Sequence, residues 1–223
     1  KYSKAKILKQ LPNFNKRTAI IAHSVNLDHN IVKYENNKKF RIIYISNIDF
    51  YKNQIFLIDA VNDFFYRYPR YKEKIIVEFY GSFYLKALQE MKDKINSIKN
   101  GDKNFKYFGL VKKEKIYKNK KGYSNISVFA SSCENFSVSL IESMAAGLPI
   151  LCVNLQPMKS VLGKGGFFYN HNSKKDFQKQ LLNMLLNKKK INEKISTYAT
   201  HIKKYLPETI ALKTYIFLHR MSK

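Results

Sequence analysis

Residues 126–153 read ISVFASSCENFSVSLIESMAAGLPILCV, and this stretch contains a strand, a helix and a second strand in that order. Residues 126–130 and 149–153 are short apolar runs, which favour buried strands. Residues 136–146 carry apolar side chains at helical spacing, and Gly147 follows where such a helix should end. Two parallel strands joined by a helix form a right-handed crossover, so this stretch predicts an α/β fold.

The same alternation of strands and helices continues on both sides of this stretch. Six strands are predicted, at residues 41–46, 75–80, 105–108, 126–130, 149–153 and, as a short addition, 166–169. The predicted helices cover residues 53–68, 85–98, 114–120, 136–146, 177–185, 191–205 and 207–221. This alternation indicates a Rossmann-like parallel sheet with helices on both faces. Ligands of such sheets bind at the carboxyl ends of the strands, where loops meet helix N-termini.

The beginning of the chain has a less regular pattern. Residues 2–11 are compatible with a short helix, and residues 18–22 form an apolar run that we interpret as a strand. We therefore divide the chain into a lead-in over residues 1–35, a Rossmann-like α/β domain over residues 36–205 and a C-terminal helix over residues 206–223.

The net charge of +25 raises the question of a nucleic-acid partner or an anionic membrane surface. Five of the 41 basic residues are Arg, whereas proteins that read bases and phosphates favour Arg because its planar fork makes bidentate contacts. The chain is also rich in Tyr and Phe, and an AT-rich genome produces this combined bias without selection for a partner. The composition therefore favours a solvated basic surface, with attraction to an anionic membrane as the main alternative.

Composition also bears on the compartment and on metal chemistry. No apolar run approaches the roughly eighteen residues that a membrane span requires, and no signal-peptide pattern opens the sequence. The two cysteines, Cys133 and Cys152, are too few for a disulfide framework, and we interpret both as small buried apolar side chains. No Asp-x-Asp pair or His/Cys cluster suggests a metal site. We expect a cytoplasmic protein, with peripheral attachment to the inner face of the membrane as an option.

Two carboxylates flank the point at which the fourth predicted strand gives way to a helix. Glu134 lies just beyond the strand, Glu142 lies within the helix, and seven residues separate them. The loop and first helical turn between them consist of Asn135, Phe136, Ser137 and Val138. Backbone N–H groups in a first helical turn lack intrahelical acceptors and bind anions, whereas ionised carboxylates accept hydrogen bonds from sugar hydroxyls. On physical grounds alone, this pattern fits a ligand-binding site and two carboxylates without a ligand equally well.

Residues 131–150 resemble the signature of glycosyltransferase family 4, whose members are retaining enzymes of the GT-B fold. That signature has two Glu residues separated by seven positions and followed by Ala-x-Gly-x-Pro, which here are Glu134, Glu142 and residues 145–149. The resemblance implies that Glu134, the candidate catalytic residue, contacts the donor sugar and that Glu142 binds the ribose hydroxyls of the nucleotide. It also implies that the amides of Phe136 and Ser137 lie near the diphosphate.

Four further positions resemble the donor site of this family. Lys52 stands where the family has a Lys that grips the diphosphate, but Asn47 replaces an Arg and offers a hydrogen bond without a charge. Gly81 and Val111 match the loops after the second and third strands, and the second of these loops typically lies along the base. The resemblance therefore implies that diphosphate binding rests on Lys52 and on the helix terminus.

The residues before the main domain resemble the family as well. The segment AHSVN at residues 22–26 stands where the family often has Pro-His-Gly-Val-Asp, and we interpret His23 as a linker or packing residue. The sequence thus begins just before the second of the two Rossmann-like domains of a GT-B enzyme. We expect the acceptor-binding N-terminal domain to be missing, and the remaining part to be inactive alone.

The resemblance implies a hexosyltransferase that moves a sugar from a UDP- or GDP-linked donor to a glycan or lipid-linked acceptor. The setting would be bacterial surface polysaccharide or lipopolysaccharide synthesis. GT-B enzymes typically use no metal, so we expect no cofactor beyond the nucleotide sugar. Two alternatives stay open. A basic nucleic-acid-binding module would need an aromatic motif for stacking bases, which is missing, and a GT-B sugar-nucleotide epimerase does not usually show this Glu spacing.

Overall fold

One sheet organises the residues that the computed structural model describes, which are 2–26, 37–118 and 120–222. Its strands are β1 (Lys39–Ile45), β2 (Ile75–Tyr80), β3 (Phe105–Tyr107), β4 (Tyr123–Phe129), β5 (Ile150–Val153) and β6 (Phe167–Tyr169). All neighbouring strands are parallel, and their order is β3-β2-β1-β4-β5-β6. All six strands predicted for the sheet are present, and the topology confirms the Rossmann-like α/β fold.

Helices fill the connections between the strands and follow the last one. In the described residues they are α1 (Tyr2–Gln10), α2 (Gln54–Arg67), α3 (Leu85–Asn96), α4 (Gly101–Asn104), α5 (Lys113–Tyr117), α6 (Val138–Ala145), α7 (Met158–Leu162), α8 (Lys174–Leu186), α9 (Lys188–His201) and α10 (Pro207–Met221). Short 3₁₀ turns cover Pro12–Arg17, Phe50–Lys52, Pro69–Tyr71, Gly163–Gly165 and Ile202–Tyr205. The sequence did not predict α4 and α7, because segments of 4 and 5 residues are too short to show a helical period.

Apolar side chains cover both faces of the sheet, as expected for parallel strands that read as continuous apolar runs. Along β1, Ile42 and Tyr44 pack into the larger core, whereas Ile43 points to the opposite face. There it belongs to a small core cluster made of Ile43, Tyr80, Ile116, Tyr117, Ala146 and Leu148. This cluster joins the sheet to α5 and to the end of α6, and it therefore fixes the position of both elements.

Two sequence predictions are wrong. Residues 18–22 form no strand, because an apolar run becomes a strand only where another strand offers it hydrogen bonds. Instead, Ile20 and Ile21 line a surface groove together with residues of α10. Cys152 is buried as predicted, but Cys133 is exposed because it lies in the loop after β4. The predicted boundary at residues 35–36 falls outside the described residues.

Candidate functional site at the crevice between the β1 and β4 loops

A crevice opens at the point where the strand order reverses. The chain passes from β1 to β2 on one side and from β4 to β5 on the other. The loops that follow β1 and β4 therefore diverge at the carboxyl edge of the sheet, where such folds bind ligands. The first loop carries Asn47 and Lys52, and the second carries Glu134 and the residues that lead into α6.

Two hydrogen bonds to backbone carbonyl oxygens tie these two loops to each other. The N–H of Ser132 donates to the carbonyl oxygen of Tyr51 at 2.8 Å. The side-chain amide of Asn53 donates to the carbonyl oxygen of Ala130, also at 2.8 Å. Asn53 has a positive φ of 58°, a conformation that Asn tolerates better than most residues do. The two walls of the crevice are therefore held at a fixed separation.

Tyr44 supports both loops from below. Its hydroxyl donates to the carbonyl oxygen of Lys52 at 2.6 Å and lies 3.2 Å from the hydroxyl of Ser131. Burial raises the pKa of Tyr44 well above its ordinary value. The hydroxyl therefore keeps its proton and acts as a structural donor, a role that the sequence analysis did not find.

Lys52 and Glu134 meet across the crevice. The ammonium nitrogen of Lys52 lies 2.5 Å from Oε1 of Glu134, and the two side chains are 12% and 11% exposed. The same ammonium lies 4.8 Å from the centre of the Tyr51 ring. A pair so far removed from water interacts more strongly than a surface pair. The structure thus brings together one predicted diphosphate-binding residue and the predicted catalytic carboxylate.

The N-terminus of α6 presents donors that the protein itself leaves unused. Ser137 precedes the helix with extended backbone, so α6 begins at Val138, two residues later than predicted. Within the described part of the chain, no hydrogen bond is donated by the backbone N–H of Phe136, Ser137 or Val138. Free N–H groups together with the positive end of a helix dipole favour an anion at this place.

The side chain of Phe136 fixes the loop that carries these donors. Its ring packs against His23 at 5.5 Å and against Tyr205 at 5.8 Å, measured between ring centroids. The N–H of Val25 donates to the carbonyl oxygen of Tyr205 at 2.8 Å, which ties the lead-in to the same place. His23 is therefore a packing residue beside the loop, as the sequence predicted. The conformation of the Glu134–Ser137 loop therefore depends on contacts with the lead-in and with Tyr205.

Glu142 pairs with a lysine that the sequence analysis missed. Its carboxylate contacts the ammonium of Lys113, the first residue of α5. The side chain of Glu142 is only 13% exposed, whereas that of Lys113 is 56% exposed. Glu142 is thus a shielded carboxylate and differs from an ordinary exposed helix residue. No motif marks Lys113, since it is one of many lysines in a basic segment.

Asn47 and Gly81 bring the loops after β1 and β2 into contact. Oδ1 of Asn47 accepts a hydrogen bond from the hydroxyl of Ser82 at 2.7 Å. Gly81 has a φ of +139°, and a Cβ at this position would lie 2.2 Å from the carbonyl oxygen of Ser46. Glycine is therefore required for the close approach of these two loops. Asn47 stands at the crevice with its amide oxygen already engaged.

The remaining predicted position is Val111. It is half-buried against the small core cluster, in the segment between β3 and α5. In the described residues, no group of three or more His, Cys, Asp or Glu side chains is arranged to hold a metal ion. None of the described helices combines the length and the apolar character needed to cross a bilayer.

Comparison with protein families gives one clear result. Residues 28–202 match the model of the family described as glycosyl transferases group 1. The matched residues include both candidate carboxylates and Lys52. A search of curated proteins finds no match.

Several solved structures have the same fold. A crystal structure of a TarM variant from S. aureus with Fondaparinux, alpha-GlcNAc-glycerol and UDP has a TM-score of 0.75 at 20% identity, over 96% of this chain and 42% of TarM. Anabaena Alr3699/HepE in complex with UDP has a TM-score of 0.70 at 15% identity, over 82% of this chain and 49% of HepE. The pneumococcal O-GlcNAc transferase GtfA with UDP and GlcNAc has a TM-score of 0.65 at 15% identity, over 91% of this chain and 39% of GtfA.

This chain therefore spans less than half the length of each of these proteins. Their low identity to it establishes a common fold, while the family match covers most of the sequence, including the crevice loops. The chain belongs to the glycosyl transferases of group 1.

Proposed function

We propose that this chain is the donor-binding domain of a retaining glycosyltransferase and that it binds a nucleotide-diphosphate sugar in the crevice between the β1 and β4 loops. The observation that carries the proposal is the pairing of Lys52 with Glu134 beside a helix N-terminus with unused N–H groups. A crevice with these two features offers positive charge and backbone donors for a diphosphate.

Each polar group of the crevice then has a role. Lys52 and the amides of Phe136 and Ser137 bind the diphosphate, and Glu142 accepts hydrogen bonds from the ribose hydroxyls. Glu134 faces the donor sugar, because its carboxylate beside a diphosphate would otherwise be repelled. Asn47 contributes a neutral amide, so that most of the charge complementarity comes from Lys52.

These groups also suggest how the reaction is assisted. When the sugar leaves the nucleotide, negative charge develops on the diphosphate. Lys52 and the N-terminus of α6 are already in place to stabilise that charge, which is catalysis by preorganised electrostatics. In this proposal the diphosphate needs no metal and no further cofactor.

The whole enzyme needs more than this chain. We place acceptor binding on a preceding domain, so that this chain alone binds the donor weakly and transfers no sugar. The acceptor is a glycan or lipid-linked glycan of bacterial surface polysaccharide synthesis. The basic surface fits this setting, because it attaches the full enzyme to an anionic membrane. Full-length protein that fails to bind anionic vesicles at low salt would remove the membrane part of the proposal.

Nucleotide titration tests the proposed site. The chain is titrated with UDP, GDP and ADP, and separately with duplex DNA, at two salt concentrations. We expect saturable binding of one nucleoside diphosphate, a large loss of affinity in Glu142→Ala, and no loss in Glu90→Ala, an exposed carboxylate on α3. DNA binding with a steep salt dependence and no response to any nucleotide would instead favour the nucleic-acid-binding alternative.

A further inference from the structure

Glu142 belongs to the family signature, but Lys113, with which it forms an ion pair, does not. Glu142 lies in the second turn of α6 and is largely shielded, whereas Lys113 reaches it from the solvent-exposed side of α5. The contact joins two elements that are separated by β4 in the sequence. Lys113 therefore covers the carboxylate to which we assign ribose binding.

The helix that carries Lys113 is too short to hold its place alone. α5 has 5 residues, and an isolated helix of this length is unstable in water. Two of its side chains, Ile116 and Tyr117, are buried in the small core cluster. Its C-terminal carbonyl groups are held by Arg41 of β1, whose Nη1 donates to the carbonyl oxygen of Ile116 at 2.7 Å.

Arg41 is in turn fully engaged beneath α5. Its side chain is 6% exposed, and its Nε forms an ion pair with Glu78 of β2, which is 3% exposed. Its Nη2 donates to the hydroxyl of Tyr80 at 2.8 Å, and that hydroxyl donates to Glu78 at 2.6 Å. Burial, together with the bond to Glu78, raises the pKa of Tyr80 to about 12, so this hydroxyl stays protonated.

A buried network of this kind contributes little net stability compared with apolar side chains of similar size. What the network does provide is a fixed geometry, because all three guanidinium nitrogens of Arg41 are bound to partners on β2 and α5. The first residue of α5 is consequently held beside α6. Lys113 thus contacts Glu142 from a helix that buried contacts hold in place, which distinguishes this pair from an incidental surface ion pair.

We propose that Lys113 is a positioning residue of the nucleotide site, which orients the Glu142 carboxylate so that it can accept hydrogen bonds from both ribose hydroxyls. Lys113 occupies Oε1 of Glu142 from one side, and the carboxylate keeps Oε2 and further lone pairs for the sugar. The inference rests on the proposed function, since it assumes that Glu142 faces the ribose.

A comparison of two nucleotides isolates this role. The nucleoside diphosphate that binds the wild-type chain and its 2′-deoxy analogue are titrated into wild type, Lys113→Met and Lys115→Met. Lys115 is exposed on the same helix and serves as the matched control. We expect Lys113→Met to weaken binding of the ribonucleotide about tenfold and that of the deoxy analogue much less, as for loss of a charge-assisted hydrogen bond.

The outcomes separate the two proposals. If Lys113→Met and Lys115→Met bind the ribonucleotide equally well while Glu142→Ala does not bind, the proposed function stands and the role of Lys113 is refuted. If Lys113→Met binds more tightly, Lys113 competes with the nucleotide, and the positioning role is also refuted. If Glu142→Ala binds as tightly as wild type, the proposed function itself fails.

Discussion

At the scale of single residues, the candidate site consists of two Lys–Glu pairs that each join different parts of the sheet edge. Lys52 and Glu134 connect the loops after β1 and β4, and Lys113 and Glu142 connect α5 to α6. In both pairs the carboxylate is mostly shielded from solvent. Each pair brings a lysine ammonium, which can also bind a phosphate group, into contact with one of the two carboxylates.

The first prediction concerns Lys52. Lys52→Met should weaken binding of the nucleoside diphosphate by about tenfold or more, because a charge-assisted contact with phosphate is lost. Binding of the corresponding nucleoside, which has no phosphate, should change little. Isothermal titration with both compounds checks this, with Lys86→Met on the exposed face of α3 as the control. Equal losses for the nucleoside and the diphosphate would contradict the assignment.

The second prediction concerns pH and His201 at the end of α9. Burial, followed by the nearby charge of Lys204, lowers the pKa of His201 from its ordinary value of 6.5. The unfolded chain therefore binds a proton at a higher pH than the folded chain does. The contribution of His201 to the unfolding free energy is complete above pH 6.5 and is lost as the pH falls below it.

Urea unfolding at several pH values checks this dependence. Between about pH 7 and pH 5 the unfolding free energy of wild type should fall, and His201→Gln should show a smaller fall. The exposed His171 provides the control, since His171→Gln should retain the wild-type dependence. A profile for His201→Gln that runs parallel to wild type would show that His201 is not the group responsible.

At the scale of elements, the site depends on loops that approach each other closely at the ends of β1 and β2. Gly81 allows this approach, because any side chain there would collide with the carbonyl oxygen of Ser46. The contact keeps Asn47 within hydrogen-bonding distance of Ser82. The shape of the crevice is thus set by backbone geometry as much as by the polar side chains.

The third prediction compares two glycines with positive φ. Gly122→Ala should cost about 1 kcal/mol, since φ is +79° but no atom lies within 4 Å of the added Cβ. Gly81→Ala adds a collision with backbone at 2.2 Å, and its cost should be larger by roughly 2 kcal/mol or more. Denaturant unfolding measures both costs. Equal costs would show that the loops after β1 and β2 can separate freely.

The elements differ in how well the sequence predicts them. β2 and α10 were predicted with their observed bounds, because clear turn residues or a proline limit them. The apolar run at residues 18–22 has the local pattern of a strand but forms none, since a strand needs a partner that local sequence does not reveal. Lys113 could not be found from its own segment. Arg41 and Glu78, charged residues within apolar strands, were the visible signal of the network beneath it.

At the scale of the whole molecule, one reversal of strand order explains where these features meet. The loops after β1 and β4 form the crevice, and a lysine from the β1 loop and another from α5 each reach one of the carboxylates. The chain covers 42% of TarM and 39% of GtfA, and the proposed function assigns acceptor binding to a preceding domain. In the proposed function, the basic surface attaches the full enzyme to an anionic membrane, and a few residues of the crevice recognise the donor.

The central claim is that a nucleotide diphosphate binds between the β1 and β4 loops at the N-terminus of α6. A crystal structure of the chain with its preferred nucleoside diphosphate tests this most directly. We predict that the diphosphate contacts Lys52 and the amides of Phe136 and Ser137, and that the ribose hydroxyls contact Glu142. A nucleotide bound elsewhere, such as the groove between residues 18–21 and α10, with this crevice unoccupied, would contradict the account.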